Sequence, residues 1–170
     1  KEYKEDASQL FRGAKNTKVE IQYIRQGKSQ TATIILDEVE IKAVPFYALL
    51  KDNIGYIVLS KFTEKASSET KSALLDLKKQ GATKVILDLR GNPGGLLHEA
   101  VNICNLFVAK DELIVTTKSK NPKHNHVYKT KNEPIDLEIP IAVIVDGKSA
   151  SASEIVAGAI QDLDRGVILG

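Results

Sequence analysis

Three nearly continuous apolar runs constrain the fold of this chain more than any other feature. They occupy residues 54–59 (IGYIVL), 84–89 (KVILDL) and 139–146 (IPIAVIVD). Runs of this length and composition are typical of buried strands. Segments with helical spacing of apolar residues follow the first two runs, at residues 64–80 and 96–108. Strands that alternate with helices predict an α/β fold in which helices cover a sheet.

The first part of the chain has a different pattern. Residues 5–12 predict the end of a helix, and residues 17–36 predict a β-hairpin. A short helix and two strands cannot bury a core alone. We therefore expect residues 1–37 to be the end of a small module whose beginning is absent, and residues 38–170 to form the main domain.

Four further segments complete the predicted organisation. Residues 37–52, broken by Pro45, are predicted to be a connector. Residues 113–117 and 165–170 are predicted to be strands. The basic stretch 118–131 is predicted to be a solvated loop or hairpin.

The composition is that of a globular protein. The chain has 170 residues, of which 42% are hydrophobic and 27% charged, which suits one domain, or one domain and a fragment of another. The net charge of +2 gives no reason to expect nucleic acid or a membrane surface as a partner. There is no membrane-length apolar run, no signal-peptide pattern and no methionine, even at position 1, so we expect a processed chain or a piece of a longer one.

The single cysteine and the histidines give weak signals. Cys104 falls in an apolar helical pattern and is expected to be a buried, inert thiol. His124 and His126 could bind a metal, but no third ligand is evident, so no metal is predicted. His98 lies early in a helix near a glycine-rich turn, where it could be a base or, as we favour, a surface or capping residue.

The segment DLRGNPGGLL, residues 88–97, joins a buried strand to a helix. Gly94 and Gly95 allow backbone conformations that other residues avoid, and they let a ligand approach the backbone N–H groups. Free N–H groups at the start of a helix attract negative charge. The segment could therefore bind a phosphate or an oxyanion, or it could simply be a tight turn.

The segment VDGKSASASEIVAGAIQD, residues 145–162, has three serines at alternate positions between a buried strand and a helix. Ser151 and Glu154 fit the Ser-x-x-Glu capping box, so Ser151 could be only a cap. Ala150 and Ala152 keep the turn small, however, which leaves room for a substrate backbone. A serine at a strand–turn–helix junction is also where acyl-transfer enzymes place a nucleophile. Loops that follow neighbouring parallel strands can meet at one edge of the sheet and form one site.

These two motifs, followed by RGVILG, closely resemble those of the carboxy-terminal processing peptidases, also called tail-specific proteases. The resemblance covers essentially the whole chain. It implies a serine endopeptidase of the Ser-Lys type with a core akin to the ClpP and crotonase group. It also implies that residues 1–37 are the C-terminal part of a PDZ domain.

The resemblance implies a role for each matching residue. Ser151 is the expected nucleophile, and the backbone N–H groups of Ala152 and of Gly94 or Gly95 are the expected oxyanion hole. Asp162 matches a supporting aspartate. No cofactor or metal is implied. The implied substrates are proteins with a free C-terminus, cleaved at or near that end outside the cytoplasm, in the bacterial cell envelope or periplasm. The oligomeric state of a longer parent protein is left open.

The chain departs from the family pattern at its end. The family's general-base lysine lies just beyond the strand that ends at Gly170, and Lys148 does not match it. We therefore expect the 170-residue chain alone to be inactive. Two other hypotheses are a non-catalytic binding protein with the same fold, and a crotonase-like enzyme acting on acyl-CoA thioesters.

Overall fold

The computed structural model describes residues 11–39 and 41–170. The chain divides into two compact units, Lys1–Ile41 and Lys42–Gly170. The helix predicted at residues 5–12 lies almost entirely outside the described residues. In the described part, no helix has both the length and the apolar character needed to cross a membrane.

The first unit contains the predicted hairpin, formed by β1 (Lys18–Arg25) and β2 (Lys28–Ile35). Arg25 pairs with Lys28, which leaves only Gln26 and Gly27 in the turn. These two residues have φ values of 51° and 73°, as a type I′ turn requires. One face of the hairpin is half-buried through the alternating residues Val19, Ile21, Tyr23, Ala32 and Ile34.

The second unit alternates strands and helices, as the apolar runs predicted. Its elements are β3 (Phe46–Leu50), β4 (Ile54–Val58), α1 (Ala66–Lys79), β5 (Lys84–Asp88), α2 (Leu97–Cys104), β6 (Leu113–Thr117), β7 (His126–Lys129), β8 (Ile141–Ile144), α3 (Ala152–Asp162) and β9 (Gly166–Leu169). One sheet has the order β3-β4-β5-β8-β9. β4, β5, β8 and β9 are parallel, and β3 is antiparallel to β4.

The connector predicted at residues 37–52 is wrong in its second half, because Phe46–Leu50 forms the edge strand β3. A tight turn joins β3 to β4, and in it Asp52 and Asn53 have φ values of 59° and 56°. Asp and Asn tolerate this left-handed conformation better than most residues. The Asp-Asn pair was therefore the sequence signal for this hairpin, and the apolar run before it was the strand.

The core lies between the sheet and the three helices. The buried sheet residues alternate along the central strands β4, β5 and β8 and include Ile57, Val85, Leu87, Ile141 and Val143. The helices contribute Leu74, Leu77, Ile103, Val156 and Ile160. Burying each of these side chains stabilises the fold by about 1.5–3 kcal/mol.

Helix α2 is shorter than predicted, because it ends at Cys104 rather than near residue 108. The buried side chain of Asn105 follows it, and its Oδ1 accepts the N–H groups of Lys131 and Asn132, both at 2.9 Å. This amide joins the end of α2 to the segment after β7.

The basic stretch 118–131 was predicted as a loop or hairpin. The hairpin is the structure found, since β7 pairs antiparallel with β6.

Candidate active site

The two sequence motifs meet at the carboxyl edge of the sheet, as predicted. The glycine loop (residues 89–96) follows β5, and the serine turn (residues 145–151) follows β8, which is the parallel neighbour of β5. The N–H of Ala150 donates to the carbonyl of Asn92 at 3.1 Å and joins the two segments directly. This edge is where ligand sites form in open α/β sheets.

Asn92 organises the glycine loop, and sequence reasoning missed it. Its side chain is fully buried: Nδ2 donates to the Leu59 carbonyl, and Oδ1 accepts the Gly94 N–H, both at 2.8 Å. Its carbonyl accepts the Ser153 hydroxyl at 3.0 Å. The signal was an asparagine in a turn after a buried strand, because Asn side chains readily replace backbone partners in turns.

The two glycines are required by close approach as well as by conformation. Their φ values are 96° at Gly94 and 149° at Gly95. A Cβ at Gly94 would lie 2.9 Å from the Cβ of Ser151, and a Cβ at Gly95 would lie 2.3 Å from the Phe62 carbonyl oxygen. The backbone of Phe62 holds this stretch by bonding to Gly94 and Leu96. The Gly94 N–H donates to Asn92 Oδ1, whereas the Gly95 N–H donates to no group in the described chain.

The three serines have different roles. The Ser149 hydroxyl donates to the Leu89 carbonyl at 2.8 Å and accepts the Asp146 N–H at 2.9 Å. Ser153 is buried against Asn92. One hydroxyl therefore fastens the serine turn to the glycine loop, and the other fastens the first turn of α3 to it. Ser151, between them, is exposed and takes no part in that connection.

Ser151 has a strained backbone, with φ 55° and ψ −112°. A non-glycine residue in such a sparsely populated region costs about 1–3 kcal/mol, and residues of this kind cluster at functional sites. The predicted capping box is present, since the Glu154 carboxylate accepts the Ser151 N–H at 2.5 Å and the Ser151 hydroxyl faces the Glu154 N–H in return, outside ordinary hydrogen-bond geometry. The N–H of Ala152 donates to no group in the described chain.

Asp146 closes the serine turn from the solvent side. Its carboxylate accepts the N–H groups of Gly91 at 2.9 Å, Lys148 at 3.0 Å and Ser149 at 3.1 Å. These bonds, with the one from Gly91 contributing most, lower the pKa of Asp146. Since Gly91 belongs to the glycine loop, this carboxylate is a second link between the two segments.

The carboxylate of Asp88 anchors the start of the glycine loop. The buried Asp88 carboxylate accepts hydrogen bonds from the Arg90 guanidinium and the Tyr56 hydroxyl. Burial acts to raise the pKa of Asp88, but the hydrogen bonds from Arg90 and Tyr56 outweigh it and lower the pKa. Arg90 is thereby fixed at the point where β5 becomes the loop.

The other candidate residues do not join Ser151. Asp162 is exposed at the far end of α3, about 16 Å from Ser151 at a rise of 1.5 Å per residue. His98 is exposed on the first turn of α2 and lies 3.8 Å from Glu99, which agrees with a surface position. Lys148 is exposed, and its backbone N–H bonds to Asp146.

Cys104 is buried as predicted, and burial raises the pKa of its thiol to about 12, so the thiol stays protonated. His124 and His126 lie on the exposed hairpin. Within residues 11–39 and 41–170, no group of three or more His, Cys, Asp or Glu side chains could hold a metal ion.

Comparison with known proteins identifies the family. Residues 53–170 match peptidase family S41. The chain is 36% identical over 171 residues to a carboxyl-terminal-processing protease of Synechocystis, covering 98% of this chain and 39% of that protein. It is 35% identical over 161 residues to a Staphylococcus saprophyticus protein named "Probable CtpA-like serine protease", and the match covers 94% of this chain and 32% of that protein. The solved photosystem II D1 C-terminal processing protease is 28% identical with a TM-score of 0.64, covering 96% of this chain and 46% of that one.

The chain therefore belongs to peptidase family S41. The resemblance to carboxy-terminal processing peptidases is confirmed, and the mixed α/β fold matches that of their solved structure. The chain spans about a third of the length of the curated relatives that it matches.

Proposed function

We propose that Ser151 is the nucleophile of a serine endopeptidase that works through an acyl-enzyme. The observation that supports this most strongly is the contrast among the serines. Ser149 and Ser153 are consumed by structural hydrogen bonds, whereas Ser151 is exposed and held at φ 55° and ψ −112°. A fold that only needed a helix cap would not require that strain.

The proposed oxyanion hole consists of the N–H groups of Gly95 and Ala152. Both lack a partner in the described chain, and a Cβ on Gly94, which precedes Gly95, would lie only 2.9 Å from the Cβ of Ser151. Gly94 is the weaker candidate, because Asn92 already accepts its N–H. Two donors aimed at a developing oxyanion stabilise the tetrahedral intermediate of acyl transfer.

The proposed base is a neutral lysine, which requires burial that lowers its pKa. In the described chain no lysine amine is hydrogen-bonded to Ser151, and Lys148 is exposed. We assign the base to a lysine that follows Gly170 in a longer protein, as the family pattern implies, and expect a chain that ends at Gly170 to be inactive. Asp162, at the far end of α3, would have only a structural role.

The reaction then proceeds in two steps, acylation of Ser151 and hydrolysis of the resulting ester. Ser151 Oγ attacks the peptide carbonyl carbon while the lysine takes the hydroxyl proton. The C–N bond breaks as that proton passes to the leaving amine, which leaves an ester on Ser151. Water, deprotonated by the same lysine, attacks the ester, and the proton returns to Ser151 Oγ as the acid product leaves.

The names of the relatives support a substrate cleaved at or near its C-terminus. We extend the proposal to a core akin to the ClpP and crotonase group, to a location in the bacterial cell envelope or periplasm, and to a PDZ identity for the first unit. A PDZ domain captures a peptide by strand addition at a sheet edge, and an antiparallel hairpin such as β1–β2 can offer one.

The test uses the longer protein and an unstructured protein substrate, with fragments followed by mass. Ser151→Ala is expected to reduce the cleavage rate by about 10⁴-fold or more, as the loss of a nucleophile does in serine proteases. Ser72→Ala, which removes an exposed hydroxyl on α1 outside the glycine loop and the serine turn, is the control and should retain cleavage. Equal cleavage by the Ser151→Ala variant and the parent would refute the proposal.

A further inference from the structure

The β6–β7 hairpin concentrates positive charge beside the proposed site. Residues 113–131 contain five lysines and two histidines but no Asp or Glu. The whole chain has 24 Lys and Arg against 22 Asp and Glu, so the rest of it holds 19 basic and 22 acidic residues. The hairpin is therefore a local basic region on a chain that is otherwise slightly acidic.

A cavity of about 310 Å³ lies between this hairpin and helix α2. Its lining includes His98, Val101, His126, Tyr128, Lys129 and Lys131. Val101 is buried and Tyr128 half-buried, so the wall has an apolar part, next to three asparagine side chains and beneath a rim of nitrogen donors. Neither Asp nor Glu lines the cavity.

The rim charges have no partner of their own. In the described part of the chain, neither Lys129 nor Lys131 forms an ion pair. The nearest carboxylate to His98 is that of Glu99, which is buried and accepts the Ser67 N–H at 2.6 Å and Asn102 Nδ2 at 2.9 Å. Unpaired ammonium groups above an apolar wall suit a ligand with one carboxylate on an aliphatic stem.

The cavity is within reach of a substrate held at the proposed site. His98 is three residues after Gly95, so their Cα atoms are at most about 11 Å apart. Lys131, whose N–H donates to Asn105 Oδ1, lies near the other end of α2, seven residues or about 10 Å beyond His98. An extended peptide covers about 3.3 Å per residue, so a group about three residues from the scissile bond would reach His98 and one about six residues away would reach Lys131.

From these observations we propose that this cavity is a subsite for a peptide carboxylate, contacted by Lys129 and Lys131 and located a few residues from the bond that is cleaved. The inference rests on the proposed function, because the subsite is defined relative to Ser151. The carboxylate is either an Asp or Glu side chain or the peptide's own C-terminus.

The test measures peptide binding, which needs no nucleophile. The longer protein with Ser151→Ala is titrated by fluorescence anisotropy with labelled peptides in which Glu is replaced by Gln at each position in turn, and with free or amidated C-termini. The variant Lys129→Gln/Lys131→Gln is compared with Lys118→Gln/Lys120→Gln. The second pair removes the same charge from the same hairpin but does not line the cavity.

One Glu→Gln change, or amidation, is expected to weaken binding about tenfold in the parent and in the Lys118/Lys120 variant, but less than twofold in the Lys129/Lys131 variant. Which of the two peptide changes has this effect identifies the source of the carboxylate. An equal effect in all three proteins, or equal loss in both double variants, overturns the subsite. A flat result together with Ser151-dependent cleavage refutes the subsite alone, whereas a clear result without cleavage refutes the peptidase.

Discussion

The glycine loop is held by buried groups, whereas the serine turn is held largely by exposed ones. In the glycine loop, the Asn92 amide is fully buried and the backbone of Phe62 fixes the glycines. In the serine turn, the exposed Asp146 carboxylate collects three N–H groups. A proposed oxyanion donor must be in place before charge develops, and buried neutral bonds provide that independently of pH. The turn that presents Ser151 depends on a group that titrates.

The largest expected effect on stability comes from removing the buried amide that holds the glycine loop. Asn92→Ala leaves the Leu59 carbonyl and the Gly94 N–H without their side-chain partner. Each unsatisfied buried group costs about 1–3 kcal/mol, so the free energy of unfolding should fall by about 3 kcal/mol, measured by urea denaturation. Gln161→Ala, which removes an exposed amide on α3 whose side chain makes no hydrogen bond in the described chain, should cost under about 0.5 kcal/mol. Similar losses in the two variants would mean that Asn92 does not hold the loop.

Substitutions at two of the serines should change the free energy of unfolding by a smaller amount, and in opposite directions. Ser153→Ala removes a buried hydroxyl that donates to Asn92 and should destabilise the chain by about 1 kcal/mol. Ser151→Gly should instead stabilise it by about 1 kcal/mol, because glycine adopts a positive φ without strain. Urea denaturation of both variants tests this. If Ser151→Gly also destabilises, the strain assigned to Ser151 is absent.

The sequence was sufficient for the elements that bury large apolar surfaces and for the place where the two motifs meet. The runs at residues 54–59, 84–89 and 139–146 became the parallel strands β4, β5 and β8. It was insufficient for β3, because an edge strand that is half-exposed lacks the pattern of a buried one. It also missed Asn92, whose partners, Leu59 and Ser153, lie 33 and 61 residues away in sequence. Contacts of that separation follow from the topology and not from local spacing.

Protonation of the exposed Asp146 carboxylate should give the smallest effect on stability. The folded state lowers the pKa of Asp146 below its ordinary value of 3.8. The stabilisation from this carboxylate is therefore present above about pH 4 and is lost as the pH falls through the lower folded-state pKa. Urea midpoints of the parent and Asp146→Asn should differ at pH 7, and the difference should shrink as the pH falls below about 4. Glu64→Gln removes another exposed carboxylate, one that accepts no hydrogen bond in the described chain, and is the control. The Asn92→Ala difference should persist over the same pH range, because an amide does not titrate. If the Asp146→Asn difference persists as well, the serine turn is held by groups other than this carboxylate, and the contrast between the two segments fails.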